Sequence, residues 1–401
     1  MIKIKIQLSF MMFLEFFIWG GWFVTMGTFL SQSFKASGSQ LAQAYETQSI
    51  GAIIAPFIIG LIADRYFSAQ KILGFLHILG AVVLCLAGTS NDFISFYPFV
   101  LIYMILYMPT LALVNSVAFR QMKDPSKEFP PIRVFGTVGW IVAGLTIGYL
   151  GWESQKLLSY TFYLTACASA ILGVFSFTLP DTPPKVEKGD YSISKVLGLD
   201  ALSLLKDTKY LIFFMSSILI CVPLAFYYQH ANQFLNELGM QKAAAVMTLG
   251  QISEALFILL LPIFLKRYGI KISLIVGMLA WVVRYVLFAY GDIGENAWML
   301  IFGVILHGIC YDFFFVSGQI YTDYKAGDKF KSSAQGLITL ATYGLGMLVG
   351  FRLAGYITDQ FIISSGHNWT QIWIIPSGFA LFVLLFFILT FKNEKIKLKN
   401  E

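Results

Sequence analysis

A small set of ionisable side chains stands inside stretches that are otherwise apolar: Glu15, Glu46, His77, Arg133, His230, Glu254, Arg284, His307, Asp312, Asp323 and Arg352. A charged group at the centre of a lipid-embedded helix costs about 2.5–3.5 kcal/mol on insertion scales, so each is expected to face a cavity, a partner or water. Residues three, four and seven apart share one helical face, and that spacing sorts the set. Arg133, Thr137 and Trp140 form one stripe, Gln251 and Glu254 a second, and His307 with Tyr311, next to Asp312, a third; Gln335 opens a later helix. Together they supply aromatic faces, primary amides, hydroxyls, a guanidinium and two carboxylates. A ligand carrying an aromatic base and a polyol would use all of these. Bases stack on aromatic rings for roughly 1–3 kcal/mol each, while amides and carboxylates pair with base edges and sugar hydroxyls. A plain sugar would use the polyol groups as well. Arg284, Asp323 and Glu46 lie near predicted helix ends, where snorkelling suffices, and read as structural. Arg352 reads as anchoring or pairing as readily as functional, and His77 as a neutral, hydrogen-bonded core histidine. Enzyme chemistry finds no support, because HExxH, GxSxG and clustered Cys/His patterns are missing. Cys85, Cys167, Cys221 and Cys310 fall in four different predicted helices without paired spacing and read as packing residues.

The elements that carry these residues follow from composition. Of the 401 residues 57% are hydrophobic and 12% charged, against roughly 25% charged in an ordinary soluble chain. Apolar runs long enough to cross about 30 Å of hydrocarbon as helices predict twelve spans: 8–30, 43–63, 71–89, 95–119, 131–151, 157–179, 209–233, 243–265, 272–291, 297–322, 333–357 and 370–391. The second is the weakest, since it carries "YETQS". The fifth is expected to start at Pro130-Pro131, which would set Arg133 in its first turn. The first is read as a retained span, too long for a signal-peptide core. Lys and Arg concentrate in alternate loops, with only Lys35, Lys156 and Lys242 in the opposite ones; the positive-inside rule therefore places both termini in the cytoplasm. That asymmetry accounts for the net charge of +6 without a nucleic-acid partner.

The longest polar segment divides the spans six and six, giving an N-terminal bundle 1–179, a cytoplasmic linker 180–208 with a short amphipathic helix, and a C-terminal bundle 209–401. The halves echo each other: "GLIADRYFSAQK" ends the second span and "PIFLKRYGIK" the eighth. Two six-helix bundles in parallel repeat are the all-α architecture of the major facilitator transporters. Gly60, Asp64 and Arg65 resemble that superfamily's loop signature, in which Asp64 and Arg65 would act as a conformational latch.

The chain resembles the bacterial nucleoside permeases, the nucleoside:proton symporters of that superfamily. The likeness rests on "WGGW" (19–22), "YMPTLALVN" (107–115), "FPPIRVFGTVG" (129–139), "VLGLDA" (196–201), "QISEALFIL" (251–259), "RYGIK" (267–271), "LFAYGD" (287–292), "YDFF" (311–314) and "SAQG" (333–336). It implies proton-coupled nucleoside uptake by alternating access in a bacterial inner membrane, by a monomer without cofactor. It also implies nucleoside contacts at Arg133, Thr137, Trp140, Gln251, Glu254, Tyr311 and Asp312, with Asp312 and Glu254 as coupling acids. Trp140 stands where Phe is common in the family and keeps a stacking face. In the seventh span Ala225 and Tyr228 replace a familiar Gln and Asn; Tyr228 and Gln229 join the expected contacts, with Tyr227 and Asn232 as further neighbours able to compensate. Glu15 stands where an uncharged Gln is familiar. The altered seventh span keeps a sugar symporter as the alternative.

Overall fold

The computed structural model describes residues 2–58, 67–183, 199–364 and 366–394. Asp64 and Arg65, and the linker's residues 184–198, lie outside them. Among the described residues nine helices are long and apolar enough to cross a membrane, and the only strands are a two-residue pair, Ile362–Ile363 with Gly366–His367. The chain forms two compact units, residues 1–191 with 241–248, and residues 192–240 with 249–401.

The first unit contains α1 (Ile2–Gly20), α2 (Met26–Phe29, running into a π-turn Leu30–Phe34), α3 (Gly38–Ile58), α4 (Ala69–Gly88), α5 (Phe93–Arg120), α6 (Pro125–Leu150) and α7 (Ser159–Ser176). Trp22, Phe23, Phe29, Phe96, Tyr103 and Phe162 are buried and meet ring to ring at its centre. The polar "YETQS" of α3 is buried throughout: Tyr45, Glu46, Thr47, Gln48 and Ser49 are all 5% exposed or less. A polar stretch in an apolar helix is tolerated when it turns into protein, so Glu46 does not sit at the headgroups as its position in the sequence suggested.

Helix α6 starts earlier than the two prolines indicate. Asp124 precedes Pro125 at the first helical position, and the Glu128 carboxylate accepts from the backbone N–H groups of Lys123 and Asp124, each at 3.1 Å. This acid-cap and N1-proline arrangement satisfies free donors at the helix start. Pro130 and Pro131 therefore lie inside the helix.

The second unit contains a 3-10 turn (Leu199–Lys206), α8 (Thr208–Glu237), most of α9 (Ala243–Tyr290), α10 (Ala297–Ile305), α11 (His307–Tyr311), α12 (Ser317–Thr339), α13 (Met347–Gln360) and α14 (Trp369–Thr390). The 3-10 turn occupies the described end of the expected amphipathic segment. The spans expected at 243–265 and 272–291 are joined through Gly269 (φ 75°), and those at 297–322 and 333–357 through Gly327 (φ 60°). A left-handed φ costs glycine nothing, so one residue breaks the helix where the sequence suggested a loop. Residues Asp312–Val316 and Leu340–Gly346 are π-helical.

Candidate functional site

In the first unit the site is set by how α1 lies on α6. A side chain at Gly139 would run into the backbone carbonyl of Phe13, so the two helices approach to backbone contact. That leaves Arg133, Thr137 and Trp140 half-buried on one face of α6. The Arg133 guanidinium lies over the Phe16 ring, 4.0 Å from its centroid. The Trp140 ring meets Trp19 edge-on at 5.4 Å. Arg133 is thus held in the helical part of the unit by a cation–π contact rather than extended toward a headgroup layer.

In the second unit the site is built where α10 and α11 bend. Ser253 donates its hydroxyl to the Ile305 carbonyl and accepts the Gly308 N–H at 3.1 Å. Both backbone groups freed by the bend are thereby satisfied. Gly308 is needed for this contact, because a side chain there would lie 2.6 Å from the Glu254 nitrogen. The approach brings Glu254 toward His307, with 3.9 Å between Oε2 and Nε2.

Behind His307 stands Arg284, which is completely buried. Its Nη1 lies 3.1 Å from His307 Nδ1, and its guanidinium carbon is 3.4 Å from the Tyr227 ring centroid. A guanidinium only donates, so His307 Nδ1 accepts and the ring is a neutral imidazole with its proton on Nε2, toward Glu254. Arg284 is no interfacial anchor. The sequence placed it near a helix end, whereas its partners come from α8 and α11.

Asp312 opens the π-turn and is 0% exposed. No hydrogen-bond donor among the described residues reaches either of its carboxylate oxygens. An ionised carboxylate so placed bears its desolvation cost uncompensated, and binding a proton removes that cost. One residue earlier, the Tyr311 hydroxyl meets that of Tyr343 at 2.7 Å. The two π-turns flank a small cleft lined by Ser217, Tyr311, Phe315, Thr339, Thr342 and Tyr343 among others. π-turns inside helices cluster at functional positions.

The other expected contacts separate by exposure. Tyr228, Gln251, Glu254 and Tyr311 are half-buried, whereas Gln229 is 1% exposed. Ala225 is core, with a side chain at Gly350 reaching only 2.7 Å from its Cβ. Gln335 donates to the Gln319 carbonyl at 2.8 Å and to Asp323 Oδ1 at 2.6 Å. His230 is a core histidine, between Gln233 (3.2 Å) and Thr358 (3.0 Å).

Long apolar helices in two units, each with charged and aromatic side chains inside it, fit a membrane transporter of the major facilitator type. The family model described as nucleoside H+ symporter matches residues 2–396. YegT of Escherichia coli (strain K12) is 43% identical over 98% of this chain and 95% of its own length. The nucleoside permease NupG of the same organism is 32% identical over 98% and 97%. A crystal structure of NupG superposes with a TM-score of 0.89, covering 98% of this chain and all of that one. A bacterial homologue of the lysosomal transporter Spinster, at 13% identity and a TM-score of 0.74, shares the fold. The chain belongs to the nucleoside H+ symporter family.

Proposed function

We propose that this protein takes up nucleosides together with protons across the bacterial inner membrane by alternating access. The observation that carries the reading is the family match along residues 2–396. Each unit contributes nucleoside-binding side chains. From the first come Arg133, Thr137 and Trp140, a cation, a hydroxyl and a stacking face. From the second come Tyr228, Gln229, Gln251, Glu254, Tyr311 and Gln335, with Arg284 and His307 positioning Glu254.

Asp312 carries the coupling proton, with Glu254 beside it as the second acid of the site. Protonation removes the cost of the buried charge, nucleoside binding follows, and release of both on the cytoplasmic side resets the carrier. The twelve-span count is supported by the break at Gly269, which separates two membrane-length halves of α9, and by that at Gly327, which ends the span Ala297–Gly327 before the span Ser333–Gln360. The bundles are residues 1–179 and 209–401, joined by a cytoplasmic linker at 180–208. Both termini lie in the cytoplasm, Asp64 and Arg65 latch one conformation, and the working form is a monomer in the lipid bilayer.

Purified protein in proteoliposomes with an imposed inward proton gradient tests this. Labelled uridine or adenosine should accumulate above equilibrium and a hexose should not. Hexose accumulation without nucleoside accumulation would reverse the assignment.

A further inference from the structure

The first unit holds an acid for which the coupling mechanism above has no use. Glu15 of α1 and His77 of α4 are 0% and 2% exposed, and Glu15 Oε2 lies 2.9 Å from His77 Nε2. Each end of the pair is closed by a hydroxyl. Ser169 Oγ of α7 lies 3.0 Å from His77 Nδ1 and 2.9 Å from the His77 carbonyl. Thr110 Oγ1 of α5 lies 2.6 Å from Glu15 Oε1 and 2.6 Å from the Tyr107 carbonyl. Each hydroxyl has one proton and two acceptors within reach, so each can turn either way.

Proton counting gives two complete arrangements. With Ser169 donating to the His77 carbonyl, Nδ1 carries a proton, and Glu15 is a neutral acid whose Oε2 hydroxyl donates to Nε2; the pair is neutral overall. With Ser169 turned to donate to Nδ1, the only proton of the pair sits on Nε2 and is donated to an ionised Glu15, whose other oxygen takes the Thr110 hydroxyl. The pair then carries one negative charge, and one proton has gone to water. Every polar atom of the pair keeps a partner in both states. A buried ion pair with fixed partners holds only one protonation state well, because losing a proton strands a donor or acceptor. This site pays no such penalty.

Its surroundings supply the remaining electrostatics. Helix α5 presents Tyr107, whose hydroxyl donates to the Glu15 carbonyl at 2.7 Å, and Tyr103 stacked on it at 5.6 Å. Helix α6 presents Arg133, lying on Phe16. Helix α7 presents Ser169. We propose that Glu15 and His77 form a second proton-binding site, within the first unit, that takes up and releases one proton independently of Asp312.

Infrared difference spectra of the full-length protein in lipid, recorded between acid and alkaline pH, read this directly. Two protonated-carboxyl bands should bleach as pH rises. Glu15→Gln, whose amide fits the same hydrogen bonds, should lose one band and Asp312→Asn the other. His77→Gln should move the midpoint of the Glu15 band, and it serves also if Glu15→Gln does not fold. Spectra of Glu15→Gln that match wild type, or an unmoved midpoint in His77→Gln, would overturn the proposal. The readout needs no substrate, so failure of nucleoside uptake would count against the transport reading and leave this one standing.

Discussion

Glu15 and Asp312 are both carboxylic acids with no exposed surface, one in each unit, yet their surroundings are opposite. Glu15 has a partner on each oxygen, Thr110 on one and His77 on the other. Asp312 has no donor on either among the described residues. Because a partnered carboxylate recovers part of its desolvation cost and a bare one recovers none, the same chemical group becomes two devices. Glu15 can exist in either charge state with little rearrangement. The charge state of Asp312 is coupled to whatever next supplies a donor or admits water, and that is what a coupling acid needs.

The sharpest way to break this contrast is Asp312→Asn. The amide has the size of the acid but cannot exchange a proton, so pH-driven accumulation should fall to the equilibrium level while nucleoside counterflow persists. Accumulation at wild-type levels would remove Asp312 from coupling. Next in size is Arg284→Lys, which keeps the charge but gives up the planar stack on Tyr227. Hydrogen bonds to charged groups contribute about 1.5–3 kcal/mol, so nucleoside uptake efficiency should drop roughly 10- to 100-fold. An unchanged efficiency would mean that His307 orients Glu254 without help.

Gly308→Ala tests the geometry beneath both. Its methyl group would press on the Ser253 and Glu254 backbone, at a cost of about 1–3 kcal/mol for overpacking. Gly336→Ala, where a Cβ meets nothing within 4 Å, should not lower the unfolding midpoint in detergent. Equal midpoints for the two variants would show that the bend at Leu306 adapts freely.

Much of the second unit's site is legible in the sequence because helical spacing is local. Gln251 with Glu254, and His307 with Tyr311, share their faces by counting alone. Arg284 is not legible in that way: what makes it part of the site is Tyr227, 57 positions earlier, and His307, 23 later. His77 shows a middle case. Its type and setting suggested a hydrogen-bonded core residue, which its contact with Ser169 satisfies, but its pairing with Glu15 spans 62 positions. The start of α6 was available in "KDPSKE", whose cap and N1 proline are a stronger signal than the "PP" that follows. The π-turns at Asp312 and Leu340 have no sequence signature, since they answer to packing across helices.

The smallest effect is expected at a third kind of acid, one outside the spans. Asp207 caps α8, accepting from Lys209 N at 2.8 Å and Tyr210 N at 3.2 Å, and its other oxygen lies 2.7 Å from Lys325 Nζ. Partial burial works against its charge, but the Lys325 ammonium and the two backbone donors outweigh it and hold the carboxyl below the ordinary aspartate range. A folded-state pKa below the unfolded one means that stability from this group is fully present above the unfolded value. It is lost as pH falls toward the folded one. With 42% of the side chain exposed, solvent screens much of the gain. Asp207→Asn should therefore lower the unfolding midpoint slightly at neutral pH and converge with wild type in acid. An offset that instead grows on acidification would place the stabilising proton elsewhere and sever this peripheral acid from the contrast between Glu15 and Asp312.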